Sequence, residues 1–326
     1  MFHAPRRMAA LLVVAGLTTA VTACSSGSQA TSSASDGASQ SAPASGSNSD
    51  SGVTVSGAFG STPTVTIPST AAPTQLTQKT LVQGSGAPVA AGDTLVANYV
   101  GQTWANKKVF DSSFSRGAPA GFVIGKGQVI PGWDKALVGK KIGSRVLLTI
   151  PPADGYGPNG NPQAGIKGTD TLVFVVDLVA AYKPDASAPG KPAAPLPSGW
   201  PKVSATPGKK PTISSVAGVK APKKPISKLV VRGTGAPISP SKSLVLQMVQ
   251  TDLATGKKTQ ATWGQAPQVV TASNVLQVAS ALSGQRVGSR VVVLLPATKG
   301  TPASGSTPAQ PGNPASVLVV DVVGQF

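Results

Sequence analysis

Val129-Ile130-Pro131-Gly132-Trp133-Asp134-Lys135-Ala136-Leu137-Val138-Gly139 is the stretch on which the fold turns. Pro131 suits the start of a helix and Gly139 can end one in the left-handed conformation, so a single short helix is expected over Gly132 to Leu137. Outward from it the pattern changes to strand. Thr94 to Val100, Arg145 to Ile150 and Thr171 to Ala180 are rich in β-branched residues and bounded by Gly, Pro and Asp. Several antiparallel strands wrapped on one short helix make an α+β fold.

The chain repeats this pattern when slid on itself by about 149 residues. Gly84-Ser85-Gly86-Ala87-Pro88 falls on Gly233-Thr234-Gly235-Ala236-Pro237, Leu95-Val96 on Leu244-Val245, and Val138 to Val146 on Ser283 to Val291. Upstream, Val55-Ser56 falls on Val203-Ser204 and Pro63-Thr64-Val65 on Pro211-Thr212-Ile213, so each copy is expected to begin with an arm that carries a short strand. In the second copy Ser273 or Asn274 can cap the helix, Val275, Val278, Ala279 and Leu282 form its apolar face, and Gly284 ends it. The expected architecture is two tandem domains over 53–182 and 201–326, each a twisted antiparallel sheet on one helix. A chain of 326 residues with 40% apolar content has room for both cores.

The first 23 residues read as a leader that is removed. Arg6 and Arg7 precede an apolar run, Met8 to Ala20, too short to span a bilayer as a mature helix. The run closes on Val21-Thr22-Ala23-Cys24, which resembles a bacterial lipobox, in which the cysteine takes a diacylglycerol and becomes the new N-terminus. Cys24 is the only cysteine in the chain, and Ser25-Ser26-Gly27-Ser28 after it offers no core to bury it. Residues 24–52 are almost wholly Ser, Ala, Gly, Thr, Gln and Asn and read as a disordered tether. Export, with a lipid on Cys24 at the outer face of the cell membrane, is the expected location. One cysteine allows no internal disulfide, so packing alone must hold both domains.

The net charge of +17 makes an anionic partner worth considering. Residues 183–200, rich in Pro and Ala, read as a stiff extended spacer. Lys202, Lys209, Lys210, Lys220, Lys223, Lys224 and Lys228 then crowd the second arm with no acidic residue among them. A solvated face is the simplest reading, and attraction to lipid headgroups or wall polymers is the functional one. Nucleic acid is not expected as a partner, because these residues carry no interleaved aromatic ladder and export removes the chain from it.

Four segments of the first copy carry a more specific signal. Val109-Phe110-Asp111-Ser112-Ser113, then Gly125 to Trp133 ending Val129-Ile130-Pro131-Gly132-Trp133, then Gly155-Tyr156-Gly157, then Thr171-Leu172-Val173-Phe174, closely resemble the FKBP family of peptidyl-prolyl cis-trans isomerases over about 82–182. The resemblance implies an apolar pocket walled and floored by Tyr99, Phe110, Val129, Ile130, Trp133 and Phe174, with Phe122 and Ile166 alongside. It implies polar contacts from Asp111, the Ile130 backbone N–H and the Tyr156 hydroxyl. Proline-containing segments of exported polypeptides are the implied substrate, macrolides the implied inhibitors, and no cofactor or metal is needed. A monomer is expected. Ala120 and Asn161 stand where the family often has an aromatic residue and a histidine.

Inventory removes the competing chemistries. His3 is the only histidine and leaves with the leader, and Cys24 is claimed by lipid, so Ser-His-Asp, Cys-His and His-based metal sites have no residues to use. Gly125-Lys126-Gly127 lacks phosphate-loop spacing and is expected to be a turn. Asp111 is expected to accept a hydrogen bond that orders the pocket rather than to transfer a proton.

The second copy keeps the apolar pattern and loses the pocket. By the repeat alignment Met248 stands for Tyr99, Gln260 for Phe110, Ala261 for Asp111, Val275 for Ile130, Val278 for Trp133, Thr301 for Tyr156 and Leu318 for Phe174. A folded, non-catalytic domain follows. The alternative for the whole chain is a binding module, a tethered holdase or envelope adaptor that recognises proline segments without turnover.

Overall fold

The computed structural model describes residues 51–239, 241–271, 276–300 and 312–326. The leader, Cys24, most of the tether, the residues expected to cap the second helix (Ser273 or Asn274), Val275 and Thr301 lie outside the described residues.

An arm opens the described chain. Strands β1 (Thr54–Ser56) and β2 (Thr64–Thr66) form a two-stranded antiparallel hairpin, where the sequence suggested one strand. The first large sheet is built from β3 (Thr77–Val82), β4 (Thr94–Thr103), β5 (Val109–Ser112), β6 (Ala120–Val123), β7 (Arg145–Ile150) and β8 (Leu172–Tyr182). The order is β3-β7-β8-β4-β5, and β6 pairs with the first residues of β4. Helix α1 (Pro131–Leu137) crosses one face.

Side-chain alternation explains the two-faced sheet. Val146, Leu148 and Ile150 of β7 and Phe174 and Val176 of β8 meet Trp133, Ala136 and Leu137 of α1 in one core. The residues between them, Leu147, Val173 and Val175, point the other way and are covered by Val53 and Ile67 of the arm together with Trp104. Every residue of β7 is therefore buried.

Burial of β7 includes a charge. Arg145, 1% exposed, forks onto Asp177 through Nε–Oδ1 (2.6 Å) and Nη2–Oδ2 (2.7 Å). Its remaining donors reach the carbonyls of Gly57 (2.6 Å) and Ser61 (2.7 Å), which fastens the arm to the sheet. A buried ion pair holds only when its spare hydrogen-bonding capacity is filled in this way.

Residues 183–200, expected to be a stiff extended spacer, instead pack on the second sheet. Ala188 is fully buried and donates its N–H to Asp321 Oδ2 (2.7 Å), the Pro184 carbonyl accepts from Gln247 Nε2 (2.8 Å), and β9 (Lys191–Pro192) adds an edge to the second sheet. The apolar side chains of Leu196 and Trp200 supply the driving force by packing on that sheet.

A second arm follows as β10 (Lys202–Val203) and β11 (Ile213–Ser215), again a hairpin. The second sheet contains β12 (Ile226–Arg232), β13 (Ser243–Asp252), β14 (Lys258–Ala261), β15 (Gln268–Thr271), β16 (Arg290–Leu295) and β17 (Ser316–Gln325), and α2 (Leu276–Leu282) crosses it. Its order, β12-β16-β17-β13-β14 with β15 on β13, has the same pattern as the first. Among the described residues no helix is long and apolar enough to cross a membrane.

The sheets touch along β6 and β15. Thr94 Oγ1 donates to the Pro267 carbonyl (3.1 Å), and the Tyr182 and Phe326 rings meet edge to face at 6.1 Å. Gly121 of β6 lies so close to Val269 that a Cβ there would stand 2.3 Å from Val269 Cγ2.

Candidate active site

A cleft of about 490 Å³ opens on the helix side of the first sheet, between β4, β5, β6, β8, the start of α1 and the loop carrying Tyr156. Trp133 is its floor. The short helix turns this side chain down onto the sheet, where it is 3% exposed and meets Phe122 (centroids 4.8 Å), Phe174 (5.3 Å) and Tyr99 (5.6 Å) in edge-to-face contacts. Phe110 extends the wall against Phe174 at 5.5 Å. That approach requires Gly101 between them, since a Cβ there would stand 2.7 Å from both rings.

The indole N–H of Trp133 is buried without a hydrogen-bond partner among the described residues. An unsatisfied buried donor costs about 1–3 kcal/mol.

Polar groups converge on the rim. Tyr99 donates its hydroxyl to Asp111 Oδ2 and accepts from Arg116 Nη2 at 2.7 Å, while Arg116 Nη1 pairs with Asp111 Oδ1. The guanidinium also lies 5.4 Å from the Tyr99 ring centre. Burial, then the hydrogen bond to Asp111, push the Tyr99 phenol up to about 12, against the opposing pull of Arg116. Tyr99 is therefore neutral throughout the physiological range. Asp111 is committed to two partners, which suits an ordering role.

The Ile130 amide makes no hydrogen bond among the described residues, although its carbonyl accepts from Trp133 N–H (2.9 Å) at the first turn of α1. It is an unspent donor on the cleft wall. Tyr156 lines the same cleft from a loop of short 3₁₀ turns, 38% exposed. Lys135 Nζ to Asp154 Oδ1 (2.6 Å) ties that loop to α1. On the other side, Asp134 accepts from the backbone N–H of Gly125 (2.6 Å) and Gly127 (2.7 Å), where both glycines have positive φ. Gly125-Lys126-Gly127 is thus a turn held by the helix.

Nine of the sequence-expected residues, Tyr99, Phe110, Asp111, Phe122, Val129, Ile130, Trp133, Tyr156 and Phe174, line this one cleft. Ile166 does not. It is 3% exposed in the core, and its backbone exchanges hydrogen bonds with Asn161 (2.9 and 3.0 Å), so it closes the base of the loop instead of walling the pocket. An apolar residue inside a polar loop fits either place from sequence alone. Arg116 was not anticipated. Its signal was present: it is the single cation between Val109 and Gly125, as Asp111 is the single anion, and the tight turn from Ser113 to Gly117 folds it back.

The model of the family described as FKBP-type peptidyl-prolyl cis-trans isomerase matches residues 86–179, which contain this cleft. An FK506-binding protein of Streptomyces anulatus is 41% identical over 118 residues, covering 36% of this chain and 95% of that protein. A probable FK506-binding protein of Corynebacterium glutamicum is 36% identical over 121 residues and 98% of its length. The peptidyl-prolyl cis-trans isomerase FKBP15-1 of Arabidopsis thaliana is 48% identical over 89 residues, with 57% of its length covered. Among solved structures, AtFKBP13 is 35% identical, with 34% of this chain and 96% of that chain covered and a TM-score of 0.31. With two relatives matched along nearly their whole length and the family model spanning the cleft, the chain belongs to the FKBP-type peptidyl-prolyl cis-trans isomerase family.

Proposed function

We propose that the chain is an exported, lipid-anchored isomerase that assists the folding of proteins at the outer face of the cell membrane, with catalysis confined to the cleft of the first sheet. The observation that carries the catalytic part is a single cleft lined by Trp133, Ile130 and Tyr156, in which the Ile130 N–H and the Tyr156 O–H make no hydrogen bond among the described residues.

Rotation about an X-Pro bond faces a barrier of ~18–20 kcal/mol because the amide C–N bond has partial double-bond character. Twisting uncouples the nitrogen lone pair from the carbonyl and reduces charge separation. An apolar, water-poor cup therefore favours the twisted amide over the planar one. Trp133 floors the proline ring, Tyr99, Phe110 and Phe174 wall it, and Ile130 and Tyr156 hold the flanking carbonyls in the twisted arrangement. No bond is broken and no proton moves. Asp111, Tyr99 and Arg116 keep the wall rigid.

The second sheet is read as a further copy of the same domain that has lost the pocket. Its matching strand order and helix support this, as does Val278 standing on α2 where Trp133 stands on α1. The export and lipid reading rests on residues 1–24.

A protease-coupled assay with a Leu-Pro or Phe-Pro peptide tests the catalytic part. Acceleration by the full chain is expected, with a loss of tenfold or more, ~1.4 kcal/mol or above, on Asp111→Val or on Tyr156→Phe combined with Trp133→Leu. Binding of proline peptides without acceleration would instead make the chain a tethered holdase. Incorporation of labelled palmitate, abolished by Cys24→Ala, tests the anchor.

A further inference from the structure

Both large sheets wear an arm on the face away from the helix. In the first, residues 53–76 cover Leu147, Val173 and Val175 and are fastened by Arg145 to the carbonyls of Gly57 and Ser61. In the second, Trp200, Val203, Ile213, Val216 and Val219 cover Val292, Val317 and Val319, and Arg290 reaches the Lys209 carbonyl at 2.6 Å. The mechanical task is the same.

The charge is not. Residues 53–76 contain no ionisable side chain, whereas 201–225 contain six lysines and no acid. Since the first arm covers its sheet without charge, the covering task does not explain the lysines. All six, Lys202, Lys209, Lys210, Lys220, Lys223 and Lys224, are exposed, and none forms an ion pair among the described residues. Lys228 adds a seventh, and it shares the arm-covered face of β12 with Val230 by strand alternation. At the nearby edge Lys191 of β9 sits directly opposite Arg232 of β12, a like-charge pair that destabilises a ladder unless an anion intervenes. Residues 183–326 carry sixteen Lys and Arg against three Asp, a net +13, while 53–182 carry ten against six, a net +4.

We propose that the second arm, with Lys228, is a docking surface for an anionic lipid bilayer. Two features choose lipid over other polyanions. The cations are spread over a hairpin, a loop and a strand, as suits a surface of diffuse charge. Ile226, 45% exposed, stands among Lys223, Lys224 and Lys228, and an aliphatic side chain ringed by lysines fits the boundary between headgroup and acyl chain. Residues 201–232 hold no aromatic side chain on which nucleic-acid bases could stack. The proposal stands apart from the lipid on Cys24.

The test uses the full chain carrying Cys24→Ser, so that acylation contributes nothing, in co-sedimentation with vesicles of phosphatidylcholine alone or of equal parts phosphatidylcholine and phosphatidylglycerol. Binding to the anionic vesicles only is expected, weakening as salt shortens the reach of charge. Changing the six arm lysines to Gln is expected to lower binding by about tenfold or more, and changing them to Arg to preserve it. Equal binding to both vesicle types, unchanged binding by the Gln variant, or tighter binding to duplex DNA or a soluble polyanion than to vesicles would overturn the proposal.

Discussion

The two sheets share their hidden devices and differ in their aromatic ones. Arg145–Asp177 in the first recurs as Arg290–Asp321 in the second, both at 2.6 Å and both buried. Ser144 Oγ accepts from the Gly84 N–H as Ser289 Oγ does from Gly233, each at 2.9 Å. The amide of Tyr99 donates to Ser113 Oγ, and that of Met248 to Thr262 Oγ1, each at 2.8 Å. Against this constancy, Val278 holds the position of Trp133, Met248 that of Tyr99 and Leu318 that of Phe174. The second sheet shows what the fold needs. Whatever the first sheet holds beyond that, the cluster of rings and the Tyr99–Asp111–Arg116 network, serves the cleft.

The largest effect is expected where the sheets agree. Arg145→Met leaves Asp177 buried and unpaired, and Arg290→Met does the same to Asp321, at a cost of about 3–5 kcal/mol each. Guanidinium denaturation should show comparable losses for both. A large loss for one and none for the other breaks the correspondence.

A smaller effect is expected at the contact between the sheets. Gly121→Ala drives a methyl into Val269, and overpacking of this kind costs about 1–3 kcal/mol. Val269→Ala in the same chain should restore most of the stability in a double-mutant cycle. β6 also carries Phe122 on its opposite face, so the single variant should raise KM for a proline peptide more than it lowers kcat.

The smallest effect is electrostatic and confined to the first sheet. Tyr99 titrates at about 12 rather than its ordinary 10.0, so its protonated form favours the folded state. The stability this contributes is fully present below pH 10 and is lost as pH rises through about 12. Asp111→Asn removes an interaction that raises this value and leaves Arg116, which lowers it. Phenolate absorbance should then rise at a lower pH, and Gln260→Ala on the second sheet should leave it unchanged.

Local signals in the sequence carried further than distant ones. The helix start at Pro131 and the strands around Thr94, Arg145 and Thr171 were legible because propensity and punctuation act over a few residues, and the boundaries agree to within three residues. The Arg145–Asp177 pair joins residues 32 apart and has no local pattern to announce it. β6 and β9, four and two residues long, form only because a neighbouring strand is there to receive them. The alignment of the two halves also slipped. Ladder register sets Gly101 opposite Asp111 and Gln250 opposite Gln260, so Gln260 occupies the place of Asp111 and Thr259 that of Phe110, one residue earlier than the sequence comparison put them. The connections before these positions, residues 104–108 and 253–257, are equal in length and the bulges correspond, so the slide of 149 residues that carries Leu95 onto Leu244 also carries Asp111 onto Gln260. The absence of aromatic and acid at these places is unaffected.

The central claim is that prolyl isomerisation depends on the ringed floor of the first sheet and on nothing in the second. Exchange NMR on a Phe-Pro peptide, with catalytic amounts of the full chain, measures it directly. The account predicts at least a tenfold fall in catalysed exchange for Trp133→Leu, ~1.4 kcal/mol or more, and an unchanged rate for Val278→Ala. An unchanged rate for Trp133→Leu in a folded chain, or a loss shared equally with Val278→Ala, would contradict it.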